Sequence, residues 1–141
     1  MLLCAAHPVL ADDGLVNLRS QFSVEKTLDR YEAAVLKAGM KVFTRVDHAK
    51  GAQKVGKRLR PTQLLIFGNP KVGTEVMSSD QRAGIDLPMK ALAWEDAGGV
   101  VWLSYTSPAY LFTRFNIRNR PSIERKMSGA LAKFAKAATQ P

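Results

Sequence analysis

Apolar residues recur along this chain with two different periods, and the switches between them lay out its elements. Leu15–Gln21 alternates Leu15, Asn17 and Arg19 with Val16, Leu18 and Ser20, the two-residue period of a half-buried strand. From Ser23, a good N-cap, the period lengthens. Val24, Leu28, Tyr31, Val35 and Ala38 share one helical face, and Gly39 supplies the left-handed residue at which such a helix stops. Met40–Val46 returns to strand spacing, with Val42, Thr44 and Val46 expected on one face. His48–Arg60 is polar, basic and contains glycine, so it reads as a loop with at most a short helix. Arg60-Pro61 forces extended backbone ahead of Leu64-Leu65-Ile66-Phe67, a continuous apolar run expected of a central, buried strand.

Gly68-Asn69-Pro70 ends that strand, and Asn69 followed by Pro70 is a start signal for a short helix reaching Ser79. Met89–Glu95 alternates again, Ala97-Gly98-Gly99 turns the chain, and Val100–Tyr105 is the partner strand of a hairpin. Pro108–Ile117 reads as a connection whose Tyr110, Leu111, Phe112 and Phe115 dock on the body. Pro121 opens a last amphipathic helix over 121–138, with Ile123, Met127, Leu131 and Phe134 on one face. The order is strand, helix, four strands with a short inserted helix, then helix. This predicts a two-layer α+β fold in which both long helices cover one face of an antiparallel-rich sheet.

Composition refines this picture in two places. The 141 residues carry a formal net charge of +9, concentrated in two segments. One holds Arg45, Lys50, Lys54, Lys57, Arg58 and Arg60 against Asp47. The other runs from Arg114 to Lys136 with Glu124 as its one acid. Such segments invite an anionic partner, although a solvated basic surface is the plain alternative. No helix-turn-helix, zinc-finger or ribonucleoprotein motif accompanies them, so no specific nucleic acid is expected. No apolar run reaches the roughly 18 residues of a membrane-crossing helix.

The second place is the N-terminus. Residues 1–11 are apolar and small, and His7-Pro8-Val9-Leu10-Ala11 resembles the end of a secretory signal cleaved after Ala11. The expectation is an exported, periplasmic or secreted domain over 12–141, with Met1 inside a longer leader; a mildly apolar tail is the alternative. Cleavage would remove Cys4, the only cysteine. A disulfide or thiolate metal site within one mature chain is then not expected, nor is a metal or other cofactor.

Several strings carry a family resemblance: Val46-Asp47-His48-Ala49, Leu59-Arg60-Pro61-Thr62, Leu65 through Lys71, Gly73-Thr74, Leu87-Pro88-Met89-Lys90 and Trp94-Glu95-Asp96. In this order, from about Leu18 to Ile117, they resemble the domain of unknown function family 302 (DUF302). The resemblance implies a fold similar to the TATA-box-binding-protein half-repeat and a homodimer. It implies no particular reaction, and the fold alone does not imply DNA binding.

Asp47, His48, Arg60, Asn69, Lys71 and Thr74 are the candidate ligand-binding residues. His48 is the one histidine beyond the leader, a group able to act as acid, base or anion contact. Gly68 to Thr74 lacks the lysine of a Walker loop, yet a helix start beside Lys71 and Thr74 favours an anion. The plain reading is an ordinary asparagine cap. Arg60 offers a fork for carboxylate or phosphate, or a structural pairing with Asp86 or Glu95. Trp94, Trp102 and Tyr105 are expected as cross-strand packing, and Glu95-Asp96 as solvated turn acids. No catalytic motif is present. The leading expectation is a non-enzymatic module for a small anionic or amphipathic ligand. Its alternatives are an enzyme using His48 with Lys71 or Arg60, and a polyanion or membrane-surface binder.

Overall fold

The computed structural model describes residues 13–141, so the leader expected over residues 1–11 and Cys4 lie outside the described residues. Strand β1 (Leu15–Ser20) leads to helix α1 (Val24–Lys37), whose first turn is closed by Ser23 Oγ accepting from the Lys26 amide. Gly39, at φ +75°, reverses the chain into β2 (Lys41–Asp47). Helix α2 (His48–Lys54) and β3 (Thr62–Gly68) follow. Next come α3 (Pro70–Ser79), a 3₁₀ turn (Gln81–Ile85), β4 (Met89–Glu95) and β5 (Val101–Thr106). Helices α4 (Pro108–Arg114) and α5 (Pro121–Thr139) close the order.

The sheet order is β1-β5-β4-β3-β2, and every neighbouring pair is antiparallel. Because β1 and β2 are opposite edges, α1 must cross the whole sheet between them. It packs against α5, which runs antiparallel to it: the Gln21 amide, just before α1, donates to the Thr139 carbonyl at the end of α5, and the Arg30 guanidinium donates to the Ala137 and Gln140 carbonyls. Tyr31 of α1, Phe67 of β3 and Phe134 of α5 meet edge to face, with centroids 5.2 to 6.4 Å apart. Each such buried ring removes enough apolar surface to stabilise the fold by about 2–3 kcal/mol. Ala91 and Ala93, fully buried in β4, leave room for α1 to lie close on the sheet.

Three sequence expectations change here. Residue Phe43 forms a bulge between Val42 and Thr44, so Val42 lies opposite Phe67 under the helices while Thr44 lies opposite Ile66 on the other face. Val42, Thr44 and Val46 therefore do not share a face. The run Leu64–Phe67 does form an interior strand, but it is not buried throughout. Leu65 and Phe67 are covered by the helices, and Leu64 and Ile66 are half-buried on the open face, because the fold has two layers rather than three. Finally, Pro108–Arg114 is a helix and not a plain connection. Ser107 Oγ accepts from the Tyr110 amide, Pro108 sits in the first turn, and Leu111 and Phe112 are buried.

Candidate functional site

One end of the fold is built around a cavity of about 530 Å³. It forms where β2 and β4 begin and β3 ends, a corner that α1 leaves as it stops at Lys37. Helix α3 stands at one side with only Val76 fully buried, and the first half of α5 stands at the other. Met40 and Phe43 line the cavity from β2, Val72 and Met77 from α3, Leu87, Pro88 and Met89 from the approach to β4. Met127, Ala130, Leu131 and Phe134 complete the wall from α5. Every methionine among the described residues lies in this lining. Unbranched and polarisable, methionine fits itself to irregular apolar guests.

The polar part of the lining is small: Asn69, Thr74 and Lys126. No acidic residue is among the lining residues. Next in sequence to the lining stand lysines and two acids, Glu75 and Asp86, which pair with Arg120 and Arg114. Lys37 precedes Ala38, Lys71 lies between Pro70 and Val72, and Lys41 sits 5.0 Å from the centroid of the Phe43 ring. All four lysines of this rim are exposed. The geometry therefore offers an apolar chamber with positive charge at its entrance.

The six residues expected from sequence fall at two separate ends. Asp47 caps α2: its Oδ1 accepts from the Lys50 amide at 2.9 Å, and its Oδ2 lies 3.5 Å from Gln63 Nε2 and 3.8 Å from Lys50 Nζ. His48 is the exposed first residue of that helix. Arg60 turns toward β4, on the far side of β3 from His48, where its Nε donates to the Glu95 carbonyl at 3.2 Å. That is the structural pairing, made to backbone rather than to a carboxylate. Asn69, Lys71 and Thr74 lie at the other end of β3, a seven-residue strand that separates the two groups by about 20 Å. His48 and Lys71 thus share no cleft.

Of the six, Asn69 and Thr74 border the cavity. Asn69 Oδ1 accepts from the Lys71 amide at 3.0 Å, the ordinary cap, which occupies a donor that an anion would need. Sequence reasoning missed the apolar walls and Lys126. Their common signal was four methionines in four different segments, each of which fits the core face of its own element equally well. Trp94 and Trp102 stack across the hairpin as expected, with centroids 6.4 Å apart. Asp96 is not simply solvated: it accepts from Trp102 Nε1 and from the Gly98 and Val100 amides.

Among the described residues no helix is long and apolar enough to cross a membrane, and no cluster of three histidine, cysteine or acidic residues could hold a metal ion. A crystal structure of an uncharacterized conserved DUF302 protein from Bacillus stearothermophilus has a similar fold. Its TM-score is 0.80 at 18% identity, covering 89% of this chain and 98% of that one. Proteins named fluoride-specific ion channel FluC 1 from Brucella suis and Brucella abortus are each 43% identical over 130 residues, 89% of this chain. That stretch is 51% and 48% of their respective lengths, so the chain spans about half of these curated relatives. The family model described as domain of unknown function DUF302 matches residues 16–140, and the chain belongs to that family.

Proposed function

We propose that this protein is a non-enzymatic binding module whose end cavity takes a small amphipathic anion, its apolar body among the methionines and its head beside Lys126. The observation that carries this reading is an almost wholly apolar chamber ringed by lysines. Its volume lies within the range of roughly 300–1,000 Å³ usual for small-ligand sites. A bare inorganic anion fits poorly, since the walls offer few donors to replace its hydration. For that reason the channel name of the Brucella relatives suggests no fluoride site in this domain. The enzyme reading has little support, because His48 and Lys71 stand at opposite ends. Export and self-association remain part of the proposal, the first resting on the pattern His7–Ala11. Peptide mapping of protein recovered from the periplasm and sedimentation of the purified chain test them.

The direct test is calorimetric titration with straight-chain carboxylates of increasing length, each beside the alcohol of equal length. Affinity should rise about fourfold per added methylene until the chamber is full. Carboxylates should bind more tightly than alcohols, and Lys126→Glu should erase that preference while leaving the length dependence. Equal affinity for alcohol and acid, or none for either, overturns the reading.

A further inference from the structure

The end of the molecule that holds the cavity also carries large apolar side chains turned to solvent. Leu36, in the last turn of α1, is 56% exposed; Phe43, at the bulge and in the cavity lining, is 45% exposed; Ile85, two residues before the lining residue Leu87, is 75% exposed. Leu36 precedes Lys37 in the chain, and Lys41 lies 5.0 Å from the centroid of the Phe43 ring. The acids between Asn69 and Met89 do not oppose this charge, because each has an arginine partner. Glu75 pairs with Arg120 at 2.9 Å, Asp80 with Arg82 at 2.7 Å and Asp86 with Arg114 at 3.0 Å. On α5, Lys133 follows Lys126 by one heptad on the same strip, whereas Glu124 lies about 200° round the helix from Lys126.

We infer that this end docks on an anionic lipid surface, with Leu36, Phe43 and Ile85 reaching the acyl boundary and Lys37, Lys41, Lys71 and Lys126 on the headgroups. The cavity mouth then faces the bilayer, the source from which an amphiphile enters. This last step rests on the binding reading above; the docking itself does not. Exposed apolar side chains beside a ring of lysines satisfy both demands of an interface at once, partial burial in the headgroup layer and attraction to its charge. The second basic cluster, Lys54, Lys57 and Arg58, lies at the opposite end of β3, where Val55 and Leu59 are also exposed but stand outside the cavity lining. It provides a control matched in charge and in exposed apolar side chains within the same protein.

The test is co-sedimentation of the full chain with phosphatidylcholine vesicles, with and without phosphatidylglycerol, at increasing salt. Wild type should bind the anionic vesicles alone, more weakly as salt rises. The triple variant K37E/K41E/K126E should lose at least about fivefold per lysine. The variant K54E/K57E/R58E, of identical net charge, should lose much less, and Ile85→Asp should weaken binding several-fold. Equal loss in the two triple variants would mean that net charge alone drives adsorption, and would overturn the docking, as would no binding to anionic vesicles. Soluble carboxylate titrations of the same proteins keep the two ideas apart. Binding of carboxylates without vesicle binding removes the docking alone, and the converse removes the cavity reading alone.

Discussion

At the scale of single residues, the fold leaves one buried side-chain polar group unsatisfied among the described residues. The Tyr31 hydroxyl is fully buried and has no hydrogen-bond partner among the described residues. Burial, with a smaller contribution from Tyr105, pushes its phenol far above the usual range. The ring carries the packing, so Tyr31→Phe removes an unsatisfied oxygen at little cost. Urea denaturation should show a variant as stable as wild type or more stable by about 1 kcal/mol. A clear loss would reveal a partner for the hydroxyl. Asp96 is the opposite case. Hydrogen bonds from Trp102 Nε1 and from the Val100 and Gly98 amides, with the positive Arg60 nearby, hold its carboxyl below the usual range. Because the folded-state value lies below the unfolded one, the stabilisation is complete above the ordinary carboxylate value of about 3.9. It is lost as pH falls through the lowered value. Asp96→Asn should therefore flatten the acid limb of the stability profile measured by thermal unfolding. An unchanged acid limb would show that this carboxylate is not coupled to folding.

At the scale of elements, local signals and tertiary demands diverge at the two ends of β3. The Asn69–Pro70 pair is a local start signal, and it caps α3 as its chemistry requires. If Asn69 does only that, Asn69→Ala should cost about 1 kcal/mol in denaturation while changing carboxylate affinity by less than about twofold. A large affinity loss with intact stability would instead make it a head-group contact. The bulge at Phe43 has no comparable signal, since Val42-Phe43-Thr44 reads as unbroken strand. Its consequence is large nonetheless. By adding a residue it turns Arg45 toward the helices, opposite Leu65. There the guanidinium meets Asp29 at 2.7 Å, Gln63 at 3.0 Å and the Glu25 carbonyl at 3.1 Å. Edge strand β2 is thereby tied to α1, and Phe43 is left at the cavity mouth.

At the scale of the whole molecule, the two ends of one sheet both carry cations and exposed apolar side chains, and they differ in the cavity. The end with Asp47, His48 and the α2 lysines also exposes Val55 and Leu59 but has no place in the proposed site. The other end holds the chamber. Ala130 faces that chamber from α5. Ala130→Phe should fill the space, keep or raise the unfolding temperature and reduce carboxylate binding at least about tenfold. Unchanged binding would place the ligand elsewhere.

What the residues determined unaided was the order of elements and their layering. Ser23, Gly39, Asn69–Pro70 and the Gly98–Gly99 turn act on neighbours a few positions away, and the apolar periods declare which face each element must bury. The pairing of both long helices over one face of an antiparallel sheet follows from those faces. What only the tertiary structure decided was the bulge, the inward turn of Arg45 and the cavity. Ala38, Phe43, Met77, Pro88 and Lys126 come from five separate segments, and no spacing along the chain relates them. Each is unremarkable in its own element. Their convergence depends on where α1 stops over the sheet, how α3 returns beside β4 and how α5 crosses, and these are settled by packing across the whole fold.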